Sequence, residues 1–180
     1  MASSRLVSTN SYESIATAVG TGSSGTISFT SIPSTYTHLQ LRSIARGTQS
    51  GASTNMTLRV GNGSIDSGSN YTYHRLFGNG SSATADGLGS QTSGLCGITG
   101  TGAGSNVYYT SVIDFIDYDN TNKFKTIRSL NGYDNNGDGV VFLESFLWRS
   151  TSAITNIELT LGGGQNITTA SQFALYGIKG

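Results

Sequence analysis

Apolar and polar residues alternate along much of this chain. Thr26-Ile27-Ser28-Phe29-Thr30, Asn55-Met56-Thr57-Leu58-Arg59-Val60 and Asn156-Ile157-Glu158-Leu159-Thr160-Leu161 each turn every second side chain to the same side. That is the period-2 rhythm of strands with one buried and one wet face. Runs of this kind, rich in Val, Ile, Thr, Tyr and Phe, recur at 12–19, 25–32, 38–45, 55–60, 71–77, 94–98, 106–116, 124–130, 140–148, 154–161 and 172–178. No stretch combines an apolar 3.6 period with helix caps, so helix content is expected to be minimal. The spacing predicts an all-β protein, an antiparallel β-sandwich of jelly-roll type.

Turn chemistry supports the same reading. Asn135-Asn136-Gly137-Asp138-Gly139 and Asp119-Asn120-Thr121-Asn122 lie between strand runs and suit tight reversals, because Asn, Asp and Gly tolerate positive φ. The lone proline, Pro33, ends the second strand. Glycines concentrate in the segment 78–104, within which 81–90 is expected to be a surface Ω-loop or a segment ordered by a neighbouring subunit. No shift of composition divides the chain, so residues 12–180 are read as one domain. Residues 1–11 are read as an arm with Leu6 and Val7 as anchors for a neighbouring subunit.

Charge narrows the partners. Only 11% of the 180 residues are charged, against roughly a quarter in ordinary domains. The 10 basic and 10 acidic residues cancel, which leaves no broad field for nucleic acid or an anionic membrane and permits dense packing of identical copies. Cys96 is the only cysteine, so neither an intrachain disulfide nor a thiolate zinc site can form within one chain. The first ten residues lack the apolar core of a signal peptide, and the protein is expected to be made in the cytoplasm without export.

Candidate chemistry is sparse. Asp134, Asn136 and Asp138, followed by Gly139, match the opening of a calcium loop, but Ser145 stands where the closing glutamate belongs and Glu144 comes one residue early. The plain reading is a hairpin turn, with Ca²⁺ as the alternative. Asp114, Asp117 and Asp119 could supply paired carboxylates, yet on a strand Asp114 points away from Asp117, and Lys123 and Lys125 offer ion pairs instead. His38 and His74 belong to no metal-ligand pair. Tyr71, Tyr73 and Arg75 read as a cross-strand aromatic ladder with an interface arginine, or alternatively as a sugar-binding face. Trp148 and Arg149 read as core or subunit contact. No nucleophile elbow, phosphate loop or acid/base constellation appears, so no enzyme is expected and no cofactor is required.

Several segments together carry a family resemblance: Ser11-Tyr12-Glu13-Ser14-Ile15-Ala16-Thr17, the stretch from Ile27 through Ile32-Pro33-Ser34-Thr35-Tyr36-Thr37-His38-Leu39-Gln40-Leu41-Arg42, Asp114-Phe115-Ile116-Asp117-Tyr118-Asp119-Asn120-Thr121-Asn122-Lys123, Trp148-Arg149-Ser150-Thr151-Ser152-Ala153-Ile154-Thr155 and Phe173-Ala174-Leu175-Tyr176-Gly177-Ile178-Lys179-Gly180. From Ser11 onward the chain resembles small virion structural proteins of tailed bacteriophages, a group of head-decoration and tail-fibre-like proteins frequent in phages of cyanobacteria. The resemblance implies a β-rich homo-oligomer, a trimer foremost, on the outside of a virion. Its implied partners are the major capsid protein or a tail protein, and in the fibre case host surface glycans. It supplies no catalytic or ligand residues.

Overall fold

The computed structural model describes residues 11–179. Among them the chain forms thirteen strands and no helix. In chain order these are β1 (Tyr12–Val19), β2 (Thr26–Phe29), β3 (His38–Ala45), β4 (Ser53–Asn62), β5 (Ser64–Ile65), β6 (Tyr71–Gly78), β7 (Ala83–Gln91), β8 (Gly94–Thr99), β9 (Tyr109–Phe115), β10 (Lys125–Asp134), β11 (Gly139–Trp148), β12 (Asn156–Thr160) and β13 (Gln172–Ile178). All eleven expected runs are strands, three of them, β1, β3 and β13, with the expected ends.

Two antiparallel sheets result. The larger has eight strands in the order β1-β13-β3-β9-β10-β11-β6-β7, and the smaller has five, β2-β12-β4-β5 with β8 also paired to β4. They pack face to face as a β-sandwich around one core. Leu39, Leu41, Ile113, Phe115, Phe146, Phe173 and Leu175 of the larger sheet meet Ile27, Phe29, Met56, Leu58, Cys96, Ile98, Ile157 and Leu159 of the smaller. Burial of such side chains stabilises the fold by about 1.5–3 kcal/mol each before the entropy cost of ordering is set against it.

The expectation for 81–90 is corrected: the segment is not a loop but most of β7, paired with β6 from Gly78↔Ala83 to Tyr71↔Gln91. Backbone ladder bonds hold this strand, and eight of its nine residues are exposed, so hydrophobic alternation could not reveal it. Gly87 also serves the ladder, because a Cβ there would stand 2.5 Å from Cδ2 of His74 on the neighbouring strand. The predicted turn at 135–139 joins β10 to β11. Asn136 and Gly137 have φ of 57° and 98°, the two successive positive values that a type I′ hairpin loop requires.

Candidate interaction surface

Alternation along each strand assigns residues to one or other face of the eight-stranded sheet. The inner face rests on the smaller sheet. The outer face carries no further layer among the described residues, yet it is apolar across its middle. Val112 of β9, Leu130 of β10, Leu143 of β11 and Leu76 of β6 stand directly opposite one another in successive ladders. Arg42 of β3 and Ala85 of β7 continue the row at its two ends. Two residues along, the next row is Ile44, Thr110, Gly132, Val141, Gly78 and Ala83. The six large members, Ile44, Leu76, Val112, Leu130, Val141 and Leu143, are between 38% and 57% exposed.

The two rows differ in height. The first row is Val or Leu at all four central positions and forms a ridge, whereas in the second Gly132 and Gly78 leave low places on either side of Val141, and a groove of about 600 Å³ lies there between Thr110, Val112, Leu130 and Val141. On the far side of the ridge lies a polar row, Gln40, Asp114, Arg128, Ser145 and His74. Gln40 donates to Asp114 at 2.8 Å and accepts from Arg42 at 2.7 Å. Beyond the groove stand Asp134 and Asp138 of the β10–β11 hairpin.

A second open element is β7 itself, at the edge of the sheet. Its one charge, Asp86, is turned to Arg75, which donates from Nε to Oδ1 at 2.6 Å and from NH2 to Oδ2 at 2.8 Å. This fork holds Asp86 below the ordinary carboxylate range and raises Arg75. Isolated proteins commonly guard edges with Lys or Pro, and β7 has neither.

The expected site residues fall in different places. Tyr71 and Tyr73 point inward and are buried. The Tyr71 hydroxyl accepts from Val60 N at 3.0 Å and donates toward the carbonyls of Val60 and Asp66, and Tyr73 meets Phe146 edge-on. Arg75 lies over the rings of Tyr73, Phe77 and Phe142 at 5.3–5.6 Å. Trp148 is buried and donates from Nε1 to Asp66 Oδ2 at 2.8 Å; Arg149 alone of the five is exposed. Tyr71, Tyr73 and Trp148 therefore belong to the core, and their rings present no solvent-facing stacking platform for a sugar.

Asp134, Asn136 and Asp138 sit on the hairpin. Asp134 Oδ1 accepts from Asn136 N at 2.9 Å, and Asp138 O accepts from Asn135 N at 2.6 Å. Among the described residues no group of three or more His, Cys, Asp or Glu side chains is placed to hold a metal ion. Asp114 and Asp117 enter separate networks. Asp117, at a φ of 48°, pairs with Lys123 and lies 3.3 Å from Nδ1 of His38. Leu6 and Val7 lie outside the described residues.

The interior also holds polar groups that alternation alone does not place there. Lys125 is buried, and its ammonium donates to the carbonyls of Asn120, Lys123 and Thr151 at 2.5, 3.0 and 3.1 Å. Burial lowers its pKa. Along the same strands, Asn131 donates to Glu144 Oε2 at 2.8 Å and to Ser129 at 2.6 Å, and accepts from the Tyr109 hydroxyl at 2.8 Å. Burial pushes the Glu144 carboxyl up to about 7, against the pull of Asn131 and the Arg75 charge. Cys96 contacts Ser111 at 3.3 Å, and burial raises its thiol to about 12, so it stays protonated and inert.

Among the described residues the carboxylates of Asp66, Asp86, Asp117 and Glu144 are each held by a hydrogen-bond or ion-pair partner. What the arrangement offers is contact area. Comparison with protein-family models, with curated proteins and with solved structures returns no match.

Proposed function

We propose that this protein is a non-enzymatic structural protein on the outside of a tailed-phage virion, a capsid decoration or cement protein that stabilises the head. The observation that carries the reading is the unfinished surface: an apolar outer sheet face beside a bare nine-residue edge strand. Exposed apolar patches and unguarded edges are features of proteins that meet other proteins. The resemblance to virion structural proteins supplies the location, a particle assembled in the host cytoplasm. Its partners are further copies of itself and the major capsid or a tail protein, joined through the edge strands and the arm at 1–11. Many modest contacts of this kind become collectively hard to reverse on a symmetric lattice.

Within this reading the sandwich is of jelly-roll type. The chain changes sheet at each step from β1 to β4 and again through β11, β12 and β13, while β9, β10 and β11 form a meander.

Quantitative mass spectrometry of purified virions tests the proposal. Hundreds of copies per particle, with heads that lose their genome at lower temperature when the protein is deleted, are expected. A few tens of copies, intact heads and lost host adsorption would replace this reading with a tail-fibre protein that recognises surface glycans. Release of reducing sugar from host polysaccharide would replace it with an enzyme.

A further inference from the structure

We propose that the outer face of the eight-stranded sheet is a self-recognition surface on which a second copy of this chain docks about a two-fold axis. The inference concerns the isolated protein and does not rest on its location in a virion. It follows from the order of four outward residues on β10: Arg128, Leu130, Gly132 and Asp134. Leu130 belongs to the ridge and Gly132 to the groove beside it, while Arg128 and Asp134 lie one step further out on opposite sides.

A two-fold axis lying in the plane of contact, parallel to the rows and midway between ridge and groove, exchanges these positions. Leu130 of one copy then enters the low place over Gly132 of the other and Leu76 the one over Gly78, and the reverse holds at the same time. The rotation also carries Arg128 over the Asp134 carboxylate of the other copy. Arg128, Asp134 and Asp138 take part in none of the ion pairs seen among the described residues; Arg128 stands opposite Asp114 in the β9–β10 ladder and Asp134 accepts from Asn136 N, and each keeps hydrogen-bonding capacity for a partner. On β9 and β11 the exchange sets Val112 against Thr110 and Leu143 against Val141. A contact in which one patch meets itself in this reciprocal way is what two-fold association demands.

The size of the face agrees. Eight strands at about 4.8 Å spacing and about 24 Å of strand length give roughly 900 Å², close to the ~800 Å² that each partner contributes to a stable interface. The strands of the two copies run within about 30° of each other, as in packed sheets generally. The geometry thus points to a pair rather than the trimer that the family resemblance implies.

Sedimentation equilibrium of the purified full chain, with thermal unfolding of every variant alongside, tests the proposal. The wild-type chain is expected at twice the monomer mass in the micromolar range. Leu130→Glu is expected to raise the dissociation constant at least 100-fold while still melting as a folded monomer. Arg128→Glu and Asp134→Arg are each expected to weaken the pair about tenfold, and the two together to restore it to within threefold. Asp134→Arg also removes the hydrogen bond to Asn136, and its melting curve reports that separately. A wild-type chain that stays monomeric at several hundred micromolar, or that sediments as a trimer, would overturn the proposal. So would a dimer that tolerates Leu130→Glu, or charge reversals whose effects simply add.

Discussion

Strands β3 and β13 and strands β10 and β11 belong to the same sheet, yet they use their two faces in opposite ways. In the first pair the familiar division holds at most positions: Leu39, Leu41, Phe173 and Leu175 face inward and Arg42 faces water, with buried Ser43 and exposed Ile44 as exceptions on β3. In the second pair Lys125, Ser129, Asn131 and Glu144 are buried, while Leu130, Val141 and Leu143 stand more than half exposed. Ile127, Phe146 and Trp148 still point inward and fix the parity of β10 and β11. Since a slip of one residue would move those side chains into water, the polar residues are carried inside with them. They are tolerated because each finds hydrogen-bond partners, and the leucines left outside fall into one row. The lesson is that register is set by the largest inward side chains, and the remaining positions are then available for hydrogen bonding inside and for association outside.

Changes at the buried polar positions should separate the two regions most sharply. Lys125→Met removes the donor that serves three carbonyls and keeps the side-chain volume. A destabilisation of about 3 kcal/mol or more is expected in urea unfolding, because buried acceptors that lose their partner cost about 1–3 kcal/mol each. A loss below about 1 kcal/mol would mean that water replaces the ammonium and that the cage contributes little.

Glu144 makes the contrast pH-dependent. An unfolded carboxyl ionises near 4.5 and the folded one near 7, so the folded state holds its proton more tightly across that window. Stability should therefore fall as pH rises from about 4.5 to about 7 and level off above it, by about 3 kcal/mol in all. Denaturant midpoints from pH 4.5 to 8 measure this, and Glu144→Gln should flatten the profile. A variant as steep as the wild type would assign the effect to another group.

The hairpin between β10 and β11 holds the inverted pair in register, at smaller expense. Gly137→Ala places a side chain at a φ of 98° and should cost about 1–2 kcal/mol in thermal unfolding. An unchanged melting temperature would show that the loop relaxes into another turn.

Least affected should be the outer row. Leu143→Ser, measured below micromolar concentration where pairing is absent, should change stability by no more than about 0.5 kcal/mol, whereas Leu175→Ala on β13 should cost about 2–5 kcal/mol. Comparable losses at both positions would mean that the exposed row supports the monomer itself.

Much of this protein was legible in its sequence. Alternation and turn residues located eleven strands and the tight hairpin at 135–139, because a strand that buries one face must carry a period of two and a tight reversal needs residues that accept positive φ; the segment 119–122 proved to be part of a longer connection between β9 and β10, with its positive φ at Asp117. Only the tertiary structure brought in β7, whose low-bulk, exposed residues leave no apolar signature and are ordered by backbone bonds to β6. It also decided the placement of Glu144 and Lys125, which the chain displays merely as charged residues, and the lining-up of Val112, Leu130, Leu143 and Leu76. Each of these leucines and the valine is an ordinary member of its own strand. They form a surface because strands distant in the chain pair in one particular register, and register between distant strands is a property of the whole packed sheet.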